Sequence, residues 1–279
     1  VSWSRGLGDV YKRQDNTQED LDLEKMHKVV FFACEDIAGV SASEVEIKSQ
    51  ISFFDGIRSE EIQETLIKAA ADLISEETPN YQWVAGNLIN YHLRKMVYDS
   101  YDPWPLGKIV KHNVDAGFYD PELLEIYSAD EWEELDKAIK HDRDYEIAYV
   151  GMEQFRGKYL VQNRATGKVY ETPQVAYMLI SASLFSGYPK DERLKWVKDY
   201  YNAISTFQIS LPTPVMAGVR TPQRQFSSCV LIETDDSLDS INATSSSIVK
   251  YVSQKAGIGI GAGSILSLIH ISEPTRPTD

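Results

Sequence analysis

The chain has 279 residues, 43% hydrophobic and 25% charged, which is ordinary for a folded globular protein of one to three domains and unlike a disordered one. A formal charge of −14 argues against a protein that grips a nucleic-acid backbone, so no nucleic-acid partner is expected. No window approaches the roughly 20 uninterrupted apolar residues of a membrane span and no secretory apolar run stands at the start; the expected location is the cytoplasm, with no membrane partner.

In chain order, VSWSRGLGDVYKRQ at 1–14 reads as translated sequencing-adapter DNA, as does the closing stretch at 264–279, and both are set aside. Lys12 and Arg13 receive no role for that reason. Over 22–37, Leu23, Met26, Val30, Ala33 and Ile37 share one face, which predicts an amphipathic helix with Gly39 as its C-cap. Ser41 with Glu44, or Ser43 with Glu46, offers a capping box for a second helix ending near Gly56. Ser59 before Glu60 and Glu61 opens a third helix. After the Thr78-Pro79 break, YQWVAGNLINYHLRKMVY predicts a fourth, so that a compact helical bundle fills the first hundred residues.

From 101 to 190 the pattern stays helical, with Ser128 and Glu131 as a capping box and Trp132, Leu135 and Ile139 as an apolar stripe. YLVQN and KVYET flank a turn-rich RATGK, which predicts a β-hairpin. Pro212 and Pro214 are expected to hold Thr213 extended, its hydroxyl and nearby amides turned toward a ligand. On local chemistry alone, a Thr between prolines is a rigid loop. Cys229 precedes the apolar run VLI and reads as the start of a buried strand. The other cysteine, Cys34, reads as a small buried hydrophobe on a helix, and no zinc-ribbon or disulfide spacing joins the two, so no metal is expected in this chain. Asp236 and Ser237 read as the cap of a helix over SINATSSSIVKYVSQ.

SLPTP at 210–214, RQFSSC at 224–229, DDSLDS at 235–240 and AGIGIGAG at 256–263 together resemble the large, alpha subunit of class I ribonucleotide reductase. The resemblance runs over 15–263, the amino-terminal third of such a subunit, and the bundle resembles the ATP cone, a regulatory nucleotide-binding module, with an incomplete β cap. It implies a mainly α fold that ends in α/β: ATP cone at 15–100, helical domain at 101–222, and at 223–263 the first strands of a truncated ten-stranded α/β barrel.

For function, the resemblance implies reduction of ribonucleoside diphosphates to deoxyribonucleotides by thiyl-radical and dithiol chemistry, with this chain alone inactive. Cys229 becomes one member of a redox pair whose partner lies beyond residue 263. Thr213, Ser228, Ala256 and Gly257 become substrate contacts. Glu19, Asp22, Lys25, Ser59, His92 and Lys95 become the ATP or dATP site, with Gln63 standing where the family often has a histidine; without the resemblance Lys25 and Lys95 read as surface lysines. Asp236, Ser237 and Leu238 become part of a site for dNTP specificity effectors. The implied partners are the diphosphate substrate, a radical-generating small beta subunit, thioredoxin or glutaredoxin as reductant, and a second copy in a homodimer. Alternatives are a cobalamin-dependent ribonucleotide reductase and a non-enzymatic module, either a plain helical interaction domain or an ATP-cone repressor; the repressor should carry a zinc ribbon and a basic surface.

Overall fold

The computed structural model describes residues 10–12, 18–20, 23–50, 53, 57–254 and 256–266. Strands β1 (Val10–Lys12) and β2 (Gln18–Asp20) pair antiparallel, Tyr11 opposite Glu19, so three residues of the opening stretch enter a hairpin. Asp22 and residues 267–279 lie outside the described residues.

Helix α1 (Leu23–Cys34) buries Met26, Val30 and Ala33, three of the five positions of the face predicted from spacing; Leu23, at the open first turn, stays exposed, and Ile37 lies beyond the helix. It ends earlier than expected because Asp36 turns left-handed at φ 60°, ahead of Gly39 at φ 74°. Helix α2 spans Ala42–Gln50, and of the rest of the span drawn to Gly56 only Phe53 is among the described residues. In α3 (Ser59–Ala71), Ser59 is the first helical residue and Arg58 holds the cap position. The Glu61 carboxylate accepts hydrogen bonds from the Arg58 backbone N–H (2.9 Å) and guanidinium (3.0 Å), doing part of the work expected of a serine cap. Helix α4 (Tyr81–Tyr98) has the predicted limits and is buried nearly all round. Its Gly86 lets the backbone of the next unit approach closely: a methyl there would sit 2.5 Å from the Ile147 carbonyl oxygen.

Helices α5 (Leu106–Asp115), α6 (Glu122–Ile126), α7 (Ala129–Ala138) and α8 (Tyr149–Gln154) follow, with a 3-10 turn at His141–Glu146 and a π turn at Phe155–Tyr159. The Ser128 capping box forms as expected, and Glu131 also takes both oxygens to the buried Arg193 guanidinium at 2.7 and 2.8 Å. The predicted hairpin shrinks to one bridge, Gln162 opposite Val169, around a turn with Gly167 at φ 73°. Helix α9 (Pro173–Leu184) is buried from Pro173 to Ala182 and runs through the interior, with α10 (Lys190–Ser205) against it. One hydrophobic core extends from Met26 to Met216, because α4 is buried on both sides and packs against the bundle and the following helices at once.

Helix α11 (Thr213–Gly218) leads to a βαβ unit: β3 (Cys229–Glu233), α12 (Leu238–Ser253) and β4 (Gly257–Gly261). The strands are parallel, Cys229 opposite Gly257. Helical domains thus precede the opening unit of an α/β barrel. The expectation that Cys229 starts a buried strand is corrected here. β3 is paired along one edge among the described residues and leaves Leu231 85% exposed, since parallel strands are buried only when both faces are covered.

Candidate functional site

Three helices converge on a cavity of about 380 Å³ in the bundle. Lys25 and Phe32 reach it from α1, Ser59 and Gln63 from α3, and Tyr91 and Lys95 from α4, in each case side chains four or seven residues apart on one helical face. Lys95 Nζ lies 5.1 Å from the Tyr91 ring centre. Lys25, Ser59, Gln63 and Lys95, which the sequence drew from three separate segments, therefore share one wall. Two ammonium groups, a hydroxyl at the first turn of α3 and two aromatic rings suit a phosphorylated nucleoside: cations and helix N–H groups for phosphate, π faces for a base. Phe32 and Tyr91 were missed in the sequence. The signal available in the sequence was an aromatic residue, Phe32, off the Met26–Val30–Ala33 face of α1; the structure leaves it 38% exposed.

His92 goes elsewhere. It is buried beside a second cavity of about 700 Å³, bounded by Arg58 and Glu64 on the bundle side and by Arg156 and Lys168 beyond it. Burial pushes His92 below its ordinary pKa, against the pull of Glu64, whose carboxylate lies 3.7 Å away. Ser59 borders both cavities. Glu19 lies in β2, opposite Tyr11.

At the other end of the chain, Ser228, Cys229, Ala256 and Gly257 come together. The Gly257 N–H donates to the Ser228 carbonyl at 2.7 Å, and a methyl on Gly257 would lie 3.9 Å from Cys229 Sγ, so the absent side chain leaves backbone open beside the thiol. Ala256 is buried beneath them. Cys229 is an exposed free thiol, whereas Cys34 is half-buried in the bundle, its thiol pushed up to about 11 by burial and then by Glu46. A thiol so held stays protonated and unreactive at neutral pH.

Thr213 is not extended as expected. Pro212 is extended (φ −69°, ψ 150°), but Thr213 is the first residue of α11, where Pro214 needs no N–H and is already set for a helix. Its hydroxyl still stands at a helix start. The Gln223 side chain links these parts: it lies against Gly218 of α11, and its amide donates to the carbonyls of Gln225 (3.0 Å) and Gln254 (3.3 Å). Ser237 caps α12, accepting from the Ser240 N–H at 3.1 Å; Asp236 and Leu238 beside it are exposed, Leu238 by 86%.

Residues 10–96 match the ATP cone domain, and residues 145–224 match the ribonucleotide reductase all-alpha domain. The chain is 57% identical over 256 residues to the ribonucleoside-diphosphate reductase subunit alpha of Haemophilus influenzae and 55% identical over 256 residues to the ribonucleoside-diphosphate reductase 1 subunit alpha of Escherichia coli, covering 92% of this chain in both. To the ribonucleoside-diphosphate reductase subunit alpha of enterobacteria phage T4 it is 48% identical over 255 residues, which is 91% of this chain and 33% of that subunit. The chain belongs to the ribonucleotide reductase alpha-subunit family. It spans about a third of the length of these relatives, 34% for the first two. Within the family frame, the α1–α3–α4 cavity falls inside the matched cone and supports nucleotide effector binding, while α11 falls inside the matched all-alpha domain. Among the described residues no helix is long and apolar enough to cross a membrane.

Proposed function

We propose that this chain is the amino-terminal part of a class I ribonucleoside-diphosphate reductase large subunit, cytoplasmic, in which Cys229 is one of two thiols that reduce the ribose. The observation that carries this reading is the parallel register of Cys229 against Gly257, which sets an exposed thiol beside bare backbone and the Ser228 carbonyl. In the proposed step the 2′ C–O bond breaks and its oxygen leaves as water. Two thiols together give two electrons and two protons, and an S–S bond forms between Cys229 and a second cysteine of the full subunit. Thioredoxin or glutaredoxin would then reduce the disulfide. Thr213 and Ser228 would hold the substrate diphosphate by hydroxyl and N–H donors, and Ala256 and Gly257 would let main chain meet the ribose.

The bundle cavity would take ATP or dATP, with Lys25 and Lys95 on the phosphates and Ser59 at the helix start; Glu19 and Asp22 are assigned to the same effector site by the family resemblance alone, and His92 would act from the neighbouring cavity that Ser59 also borders. Asp236, Ser237 and Leu238 would join a dNTP effector site at a contact between two copies, and a small beta subunit would supply the radical. The relatives are named as diphosphate reductase alpha subunits, which favours this reading over a cobalamin-dependent enzyme. A match to the all-alpha domain alongside the cone favours it over a free-standing nucleotide sensor.

The test is turnover by the full alpha subunit carrying this sequence, assembled with its beta subunit. Cys229→Ser should lower ribonucleoside-diphosphate reduction by at least about 10³-fold, the scale expected when a group acting only in the chemical step is lost, while substrate Kd stays within about twofold. Retained turnover would remove Cys229 from the chemistry.

A further inference from the structure

Among the described residues, the most heavily hydrogen-bonded buried group outside the sites above is the pair Arg220–Glu171. Both side chains are fully buried, and the pair is held by three charge-assisted contacts. Arg220 does more than neutralise Glu171. Its guanidinium also donates to the Met216 carbonyl in α11 at 2.6 Å and to the Tyr159 carbonyl at the end of the π turn at 3.0 Å. The Glu171 carboxylate is in turn fixed by the Tyr119 hydroxyl at 2.5 Å and the Val161 N–H at 2.6 Å, while the Arg220 carbonyl accepts from the Asp120 N–H at 3.0 Å. Buried ion pairs give little net stability over a well-packed apolar replacement, so this network's effect is better sought in geometry.

That geometry bears on Thr213. Six residues of helix are too few to hold their shape unaided, because the cost of nucleation is spread over too few hydrogen bonds. Through Met216, Arg220 fixes one end of α11 to the scaffold while Thr213 opens the other. From Arg220 the chain runs on to Gln223, Ser228 and Cys229. We infer that Arg220, with Glu171 as its counter-ion, is a positioning residue that sets Thr213 and the start of the Ser228 segment for the diphosphate of the substrate. This rests on the reading of Thr213 and Ser228 as diphosphate contacts proposed above.

Lysine keeps the charge opposite Glu171 but lacks the planar fork that serves Glu171, Met216 and Tyr159 together. In the full alpha subunit, Arg220→Lys should raise the Kd for a ribonucleoside diphosphate about tenfold and leave the Kd for the unphosphorylated nucleoside unchanged, a split that general loosening would not produce. If Arg220→Lys does not fold, the charge-neutral pair Arg220→Gln with Glu171→Gln, checked by its melting curve, takes its place and should show the same split. Unchanged diphosphate affinity in a folded variant, or equal losses for both ligands, overturns the inference. Thr213→Val, measured alongside, separates the two levels. Weakened diphosphate binding in Thr213→Val with none in Arg220→Lys sinks only the tether, whereas no change in Thr213→Val sinks the diphosphate reading and the tether with it.

Discussion

Asp144 shows how far one residue's chemistry is decided by its surroundings. It lies in the 3-10 turn between α7 and α8, fully buried, and burial pushes its carboxyl up to about 7, against the opposing pull of Arg94 on α4 and Gln174 on α9. Asp142 adds a smaller upward push. A carboxyl whose folded-state pKa lies above its unfolded value takes up its proton on folding. Its cost to the fold is therefore absent below about pH 4, grows as pH rises, and is complete above about pH 7. A rise from 3.8 to about 7 sets that cost at no more than roughly 4 kcal/mol. Asp144→Asn should accordingly raise the melting temperature most at pH 8, by less than half as much at pH 5, and change it little below about pH 4. Thermal melts of the two proteins across that range check this, and parallel curves would mean that Asp144 ionises normally. Nothing in HDRDYEI at 141–147 marks Asp144 as different from Asp142 one turn edge away, since the distinction is burial against α4 and α9.

Among the elements, α4 carries the most. Its limits were legible from Thr78-Pro79 at one end and from the apolar run between, and the structure reproduces them at Tyr81–Tyr98. Its partners were not legible, because a helix whose apolar residues lie all round and are interspersed with Asn87, Asn90, His92 and Arg94 does not state which face meets which neighbour. Gly86 records the outcome. As an isolated helix position it would gain about 1 kcal/mol on replacement by alanine, but the added methyl would meet backbone, the Ile147 carbonyl oxygen at 2.5 Å, which cannot rotate away. Overpacking of this kind costs about 1–3 kcal/mol. Gly86→Ala is thus expected to destabilise by a net ~0–2 kcal/mol, read from denaturant midpoints; a stabilised variant would show that α8 and its approach turn can move off α4. The short α11 makes the complementary case. The two prolines suggested an extended segment, but the structure makes Thr213 the first residue of a short helix, which Pro214 at its start suits and in which the Met216 carbonyl accepts from Arg220.

For the whole molecule, the two ends of the described chain differ. The helical part closes on one core, whereas the βαβ unit leaves Leu231, Leu238, Val249 and Val252 exposed. A parallel pair with open edges and an apolar outer face favours self-association. Produced alone, this chain should sediment as concentration-dependent oligomers or aggregate, and Leu231→Thr with Val249→Thr should reduce that; a monomer at all concentrations would show that the unit covers itself. By itself the sequence determined the α1 face, the limits of α4, the Ser128 and Ser237 caps and the family motifs around Thr213 and Cys229, because each depends on residues within one or two turns of each other. Only the tertiary structure decided that Lys25, Ser59 and Lys95 share a cavity that His92 does not line, that Cys229 faces Gly257, and that Glu171 meets Arg220. These are contacts across tens of residues, set by how helices pack and strands register, and local pattern carries no term for them.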